Sequence, residues 1–193
     1  QGRPVYFVSS NSHSLANLLG GYARAHRAEI VDFLHRNNPE DLAPHYDEAL
    51  AKGDHALATN ILYYSLRAFI HEPGNDGRMS LVQEWDHKAG LRAIGSPGKI
   101  DVDAQVIDLA QLDVNNLDPR VRVAGIEDLR NSSAVIINID YPLGMAAYHH
   151  LSAIPLGVDE LRGIYIMGKA ATLNGRVGDV MISKIVHDEH SRN

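Results

Sequence analysis

Two short apolar runs in the last third of the chain, residues 134–139 (AVIINI) and 163–167 (GIYIM), bracket a turn and a helix-like segment, MAAYHHLSAI. An apolar run without alternation reads as a strand buried on both faces, because no face has to meet water. Strand, turn, helix and strand make a βαβ unit, and a crossover of that kind joins parallel strands. Residues 177–186 (VGDVMISKIV) read as a further strand. The pattern therefore predicts an α/β fold, with a mixed or mostly parallel sheet flanked by helices.

The first half supplies helices. Residues 5–9 form a β-rich run after Pro4, and the polar cluster SSNSHS follows at once. From Ser14, apolar residues at spacings of three and four predict one helix to about Arg36, with Ser12 or Ser14 as its cap and Gly20-Gly21 as a kink or close-packing point. Pro39 opens a second helix that Gly53 ends, and Asp54 caps a third through Ile70. Residues 72–98 read as an irregular, lid-like excursion with one short helix, anchored by Trp85, and residues 100–109 as a strand or a short helix. The organisation expected is a single α/β domain over 1–193: a helical segment at 14–70, an insertion at about 72–100 and the βαβ part at 134–190. The ending HDEHSRN, just after a predicted strand, suggests a piece of a longer protein.

Charge and residue types narrow the partners. With 18 Lys and Arg against 24 Asp and Glu the formal charge is -6, and no long basic run offsets it, so nucleic acid is not expected as a partner. The absence of cysteine removes thiolate metal sites and cysteine nucleophiles, and fits a reducing compartment. No apolar stretch approaches the roughly 20 residues that span a bilayer, and the N-terminus lacks the pattern of a secretory signal. A soluble, cytoplasmic protein without a membrane partner is expected.

In an open α/β sheet, ligands gather beyond the carboxyl ends of the strands. Three loops occupy that place. Ser10, Asn11 and His13, in the cluster after the first strand, either hold a phosphate, sugar or amide or serve as ordinary helix caps. Asp140 either meets ribose hydroxyls or a basic side chain, or caps the helix that follows. Gly168, Lys169, Ala170 and Ala171 let backbone groups approach a planar ring or an anion closely, with a positive charge added, although the spacing is not that of a P-loop. His187, His190 and the His149-His150 pair lack metal-ligand spacing, so no metal is expected. Asp101 and Asp103 read as a solvated acidic face, and no serine-hydrolase elbow occurs.

The order NIDYPLGMAAYHHL, then LRGIYIMGKAATLNGRVGDVMI, resembles the nucleoside phosphorylase and nucleosidase superfamily, which includes purine nucleoside phosphorylase, uridine phosphorylase and methylthioadenosine nucleosidase. The likeness covers about residues 134–190. Residues 142–151 match the family's turn and small-residue helix, Gly168 to Ala171 its ligand loop, and residues 178–182 its Gly-Asp-Val strand. What the resemblance implies is a phosphorylase-like fold, a nucleoside or nucleotide-like ligand, cleavage of an N-glycosidic bond, a homo-oligomer and no cofactor beyond phosphate as a cosubstrate. Two phosphate-binding positions of the family's hexameric branch, an arginine and a serine, are here Ile166 and Lys169, which puts the phosphate in doubt. The family's ribose-binding and proton-donating residues lie downstream of the Gly-Asp-Val strand, where this chain stops. His13 is then the one candidate acid or base, and the alternative is a non-catalytic ligand-binding or assembly module that retains the fold.

Overall fold

The computed structural model describes residues 2–95, 103–141, 145–168, 175–176 and 178–185. Five strands form one mixed sheet: β1 (Pro4–Ser9), β2 (Leu91–Ile94), β3 (Ala104–Asp108), β4 (Val135–Ile139) and β5 (Glu160–Ile166), in the order β2-β3-β4-β1-β5. β1 lies at the centre of the parallel part, with Val5 opposite Val135 of β4 and Pro4 opposite Glu160 of β5. β3 runs antiparallel to both β4 and β2. β4 is the apolar run expected from the sequence, and helix α7 (Met145–Gly157) carries the chain from it to β5. The crossover that the sequence predicts is present, although it skips over β1, which lies between its two strands.

Six helices separate β1 from β2: α1 (Ser12–Gly20), α2 (Tyr22–Ala25), α3 (Arg27–Asn37), α4 (Leu42–Ala51), α5 (His55–Ile70) and α6 (Arg78–Lys88). α5 follows its pattern closely. Asp54 accepts a hydrogen bond from the Leu57 N–H at 2.9 Å, and Ala58, Ile61, Leu62, Leu66 and Phe69 turn inward. They pack on Ile30, Phe33 and Leu34 of α3, and on Ala43, Tyr46 and Ala49 of α4. A second apolar layer, Ala89, Leu91, Ile107 and Leu112, lies with Leu15 and Leu19 of α1.

Several expectations need correction. The single helix over 14–36 is three: His26, with φ -103° and ψ 26°, separates α2 from α3, and Gly21 adopts φ 75°, which ends α1. A Cβ there would overlap the Asn116 carbonyl oxygen, so the kink and the close packing are one feature. Gly21→Ala is expected to destabilise the protein by about 2 kcal/mol or more, from the left-handed backbone and that overlap, read as a lower urea midpoint at unchanged m-value. The cap of α1 is Asn11, whose side chain accepts from the Ser14 N–H at 3.2 Å, and neither Ser12 nor Ser14. Residues 39–41 form a 3-10 turn before α4. The excursion contains α6 but also β2, and its anchor is Trp85, whose indole N–H donates to the Gly20 carbonyl at 2.7 Å. Residues 104–108 are a strand.

The C-terminal runs differ most. β5 pairs with β1 on one side only among the described strands, and Ile166 is 75% exposed, so this apolar strand is not buried on both faces. Residues 178–185 have no strand among the described positions, and Val180 and Ile182 are each 90% exposed. A continuous apolar run is a necessary sign of a buried strand, not a sufficient one.

Candidate functional site

The carboxyl ends of β4, β1 and β5 emerge side by side. The Ser10 N–H donates to the Ile139 carbonyl at 3.2 Å, and the Met167 N–H to the Ser9 carbonyl at 2.9 Å. Two of the loops singled out in the sequence therefore meet: Ser12 Oγ donates to Asp140 Oδ2 at 3.0 Å. The Asp140 N–H donates in turn to the Asp103 carbonyl at 2.9 Å, which ties β4's end to the start of β3. Gly168 leaves β5 at the same edge, exposed, with room for a Cβ at 3.8 Å from the Tyr141 ring. Lys169, Ala170 and Ala171 lie outside the described residues, as do residues 142–144, Asp101, His187 and His190.

The serine-rich loop divides its residues between support and exposure. Ser10 is buried and turns its hydroxyl inward to Asn138 Oδ1 at 3.4 Å, and Asn138 Nδ2 donates to Gln105 Oε1 at 3.3 Å. Asn138 is 0% exposed, a polar residue inside the AVIINI run, and a buried amide of this kind is tolerable only when its hydrogen bonds are made. Asn11 and His13 face outward, on a cleft of about 420 Å³ between α1 and α5. Beside it a cavity of about 440 Å³ extends under α6 toward the start of β3, and His13, Asn17, Leu66, Arg67 and Ile70 line both. Ser12, Asp103 and Gln105 line the second, and Ser12 carries the bond to Asp140. These volumes fall in the range of small-molecule sites.

The walls carry varied chemistry. α5 contributes Asn60, Tyr63, Tyr64 and Arg67, at spacings of three and four on the side away from its packed residues. Among the described residues no carboxylate pairs with Arg67. Tyr63 Oη donates to Asp118 at 2.6 Å, and burial first, then that hydrogen bond, pushes the phenol well above its usual value. Asp118 is 1% exposed and receives Arg120 Nε and Nη2 at 2.9 and 2.8 Å, so its carboxyl is held well below the ordinary range. Asp86 lines the second cavity with His13 and Arg67, and burial raises it to about 7, with no hydrogen-bond donor among the described residues to offset this. A carboxyl that titrates near neutrality in a cleft can give or take a proton at working pH.

Sequence reasoning placed Asn11, His13 and Asp140 at this edge but missed Asn17, Tyr63, Arg67 and Asp86. The polar and aromatic stripe of α5 was the available signal. Nothing local distinguishes Asp86 from other aspartates. Of the histidine pair, His149 is exposed on α7, and among the described residues no group of three His, Asp or Glu side chains could hold a metal ion. No helix of the described residues is long and apolar enough to cross a membrane.

These features define an α/β protein with a five-stranded mixed sheet and a cleft between α1 and α5. The chain belongs to DUF6909, a family of unknown function whose model matches residues 1–193. No curated protein and no solved structure matches it.

Proposed function

We propose that the cleft binds a nucleoside or nucleotide-like molecule and that the protein cleaves its N-glycosidic bond, as a nucleoside phosphorylase-like or nucleosidase-like enzyme. The observation that carries this reading is the meeting of Ser12 with Asp140 at the carboxyl edge of the parallel strands, with Gly168 at the end of the neighbouring strand. Those are loops that the resemblance to the phosphorylase superfamily and the general geometry of α/β sheets single out for a ligand. The cleft suits such a molecule: Tyr63 and Tyr64 offer ring faces, Asn11 and Asn17 offer amide donors and acceptors, and Arg67 offers a positive charge.

Cleavage requires a group that protonates the departing base, oxygen atoms that stabilise the cation-like sugar, and water or phosphate as nucleophile. Asp86 and His13 line the same cavity and are the proton-carrying groups in this reading, and Asp140 is the carboxylate that Ser12 of its wall meets. Lys169 is the candidate for a phosphate cosubstrate. Titration with adenosine, inosine and methylthioadenosine, following heat and released base, is expected to give both, and His13→Ala is expected to slow base release by tenfold or more. Heat without base release from any of the three supports the non-catalytic alternative. Silence in both measurements with all three compounds overturns the reading.

A further inference from the structure

We propose that a second site, formed by Arg24, Arg27 and His55 beside the Asp118–Arg120 pair, binds the phosphate group of a small molecule. The site does not rest on the reading of the cleft, with which it shares the single residue Arg120. It is a cavity of about 330 Å³ between α2, the start of α3 and the first turn of α5. That is several times what a bare oxyanion fills, so there is room for an organic part beside the phosphate.

The charge of this cavity is unusual for a chain whose net charge is -6. Three guanidinium groups line it against one carboxylate, Asp118, and that carboxylate is already engaged by Arg120 and by the Tyr63 hydroxyl. The other two arginines have only neutral partners among the described residues. Arg27 donates through Nε and Nη2 to the Tyr46 hydroxyl, at 3.0 and 2.7 Å. Arg24 donates through Nη2 to the Asn116 carbonyl, while its Nε is buried with no acceptor among the described residues.

A buried guanidinium donor without an acceptor is costly and uncommon, and it marks a place where an acceptor completes the structure. Two uncompensated guanidinium charges facing one cavity favour an anion, and the planar fork of N–H groups matches phosphate oxygens in particular. The first turn of α5 adds little by itself, because Asp54 already caps it through the Leu57 N–H. His55 and Ala56 of that turn line the cavity together with the arginines.

Calorimetric titration of the whole chain at fixed ionic strength tests this, with inorganic phosphate in one arm and glycerol 3-phosphate and ribose 5-phosphate in the other. Saturable binding is expected, weakened tenfold or more by Arg27→Gln and by Arg24→Gln. Tighter binding of the esters identifies a phosphomonoester as the ligand, and equal or tighter binding of the free ion identifies inorganic phosphate. Arg24→Gln also removes the Asn116 contact and Arg27→Gln the bonds to the buried Tyr46 hydroxyl, so Arg27→Glu supplies a charge reversal at the exposed Arg27, and the urea midpoint of each variant shows that the fold is kept. Adenosine, which has no phosphate, is expected not to compete, and Arg67→Gln in the cleft is expected to leave the phosphate affinity unchanged. Absence of saturable binding, or equal affinity in the wild type and both Arg27 variants, overturns the proposal. Loss of binding in Arg67→Gln but not in the Arg27 variants also overturns it, by moving the anion to the cleft.

Discussion

Asp118→Ala is expected to lower the free energy of unfolding by about 2–3 kcal/mol, measured as a reduced urea midpoint. The change removes a buried carboxylate that accepts from Arg120 Nε and Nη2, the Arg120 N–H and Tyr63 Oη. It leaves a phenol and a guanidinium facing an apolar methyl. Losses on breaking a fully buried pair reach about 3–5 kcal/mol, but the Arg120 side chain is 39% exposed, and water recovers part of the loss. Asp118 also sets a pH dependence. Its folded carboxyl lies well below the ordinary value, with the Arg120 hydrogen bonds as the first cause. The stability it contributes is therefore present above the unfolded value of about 3.9 and disappears as pH falls through the lower folded one. Unfolding curves of the wild type and Asp118→Asn should converge steadily below about pH 4.

Asp86→Asn is expected to act in the opposite sense. Burial raises this carboxyl to about 7 when folded, so the chain must hold a proton or accept a buried charge. A group raised in the folded state contributes most below its unfolded value, and that contribution is lost as pH rises through about 7. The asparagine variant should match the wild type near pH 4 and exceed its stability by roughly 2–4 kcal/mol at pH 8. Urea denaturation from pH 4 to pH 8 measures this directly. A variant that gains stability at pH 8 while base release falls would mark Asp86 as a group kept for chemistry at a structural cost. Equal stability at both pH values would show that the carboxyl is not desolvated.

Local signals in the sequence carry the elements whose causes are themselves local. α5 is legible because Asp54, the spacing of Ile61, Leu62, Ser65, Leu66 and Phe69, and the helix-stopping EPGN all lie within one stretch, although Leu57, which shares that spacing, is 45% exposed. β4 is legible because its central position makes five successive residues apolar or amide-bearing. β5 misleads because the same pattern appears on a strand with one described neighbour, and nothing within GIYIM shows which strands flank it. The break at Gly21 is half legible. Paired glycines suggest a kink, but the Asn116 carbonyl that fills the space belongs to a loop far along the chain.

The candidate site divides in the same way. Strand ends followed by small polar residues are visible in sequence, so Asn11, His13 and Asp140 were within reach. The bond between Ser12 and Asp140 depends on the parallel pairing of β1 with β4, which no window of sequence contains. The same limit hid Asp118. Nothing near it in sequence singles it out, yet it is buried against Tyr63 of a helix 55 positions earlier. Ser10, which the sequence leaves between a ligand contact and a cap, turns its hydroxyl to Asn138, a partner 128 positions away that no local pattern shows.

The placement of six helices between β1 and its partners β4 and β5 also dictates an order of assembly. α1 to α6 meet one another across shorter stretches of chain than separate β1 from β4, and such contacts form sooner. β1 cannot complete its ladders until Val135 and then Glu160 have been made and brought back to it, and long loops must close first. During synthesis the apolar strand containing Val5, Phe7 and Val8 therefore waits unpaired while a helical bundle matures beside it. The slow step of folding should be the insertion of β4 and β5 on either side of β1, and the waiting strand is the segment that a chaperone would have reason to shield.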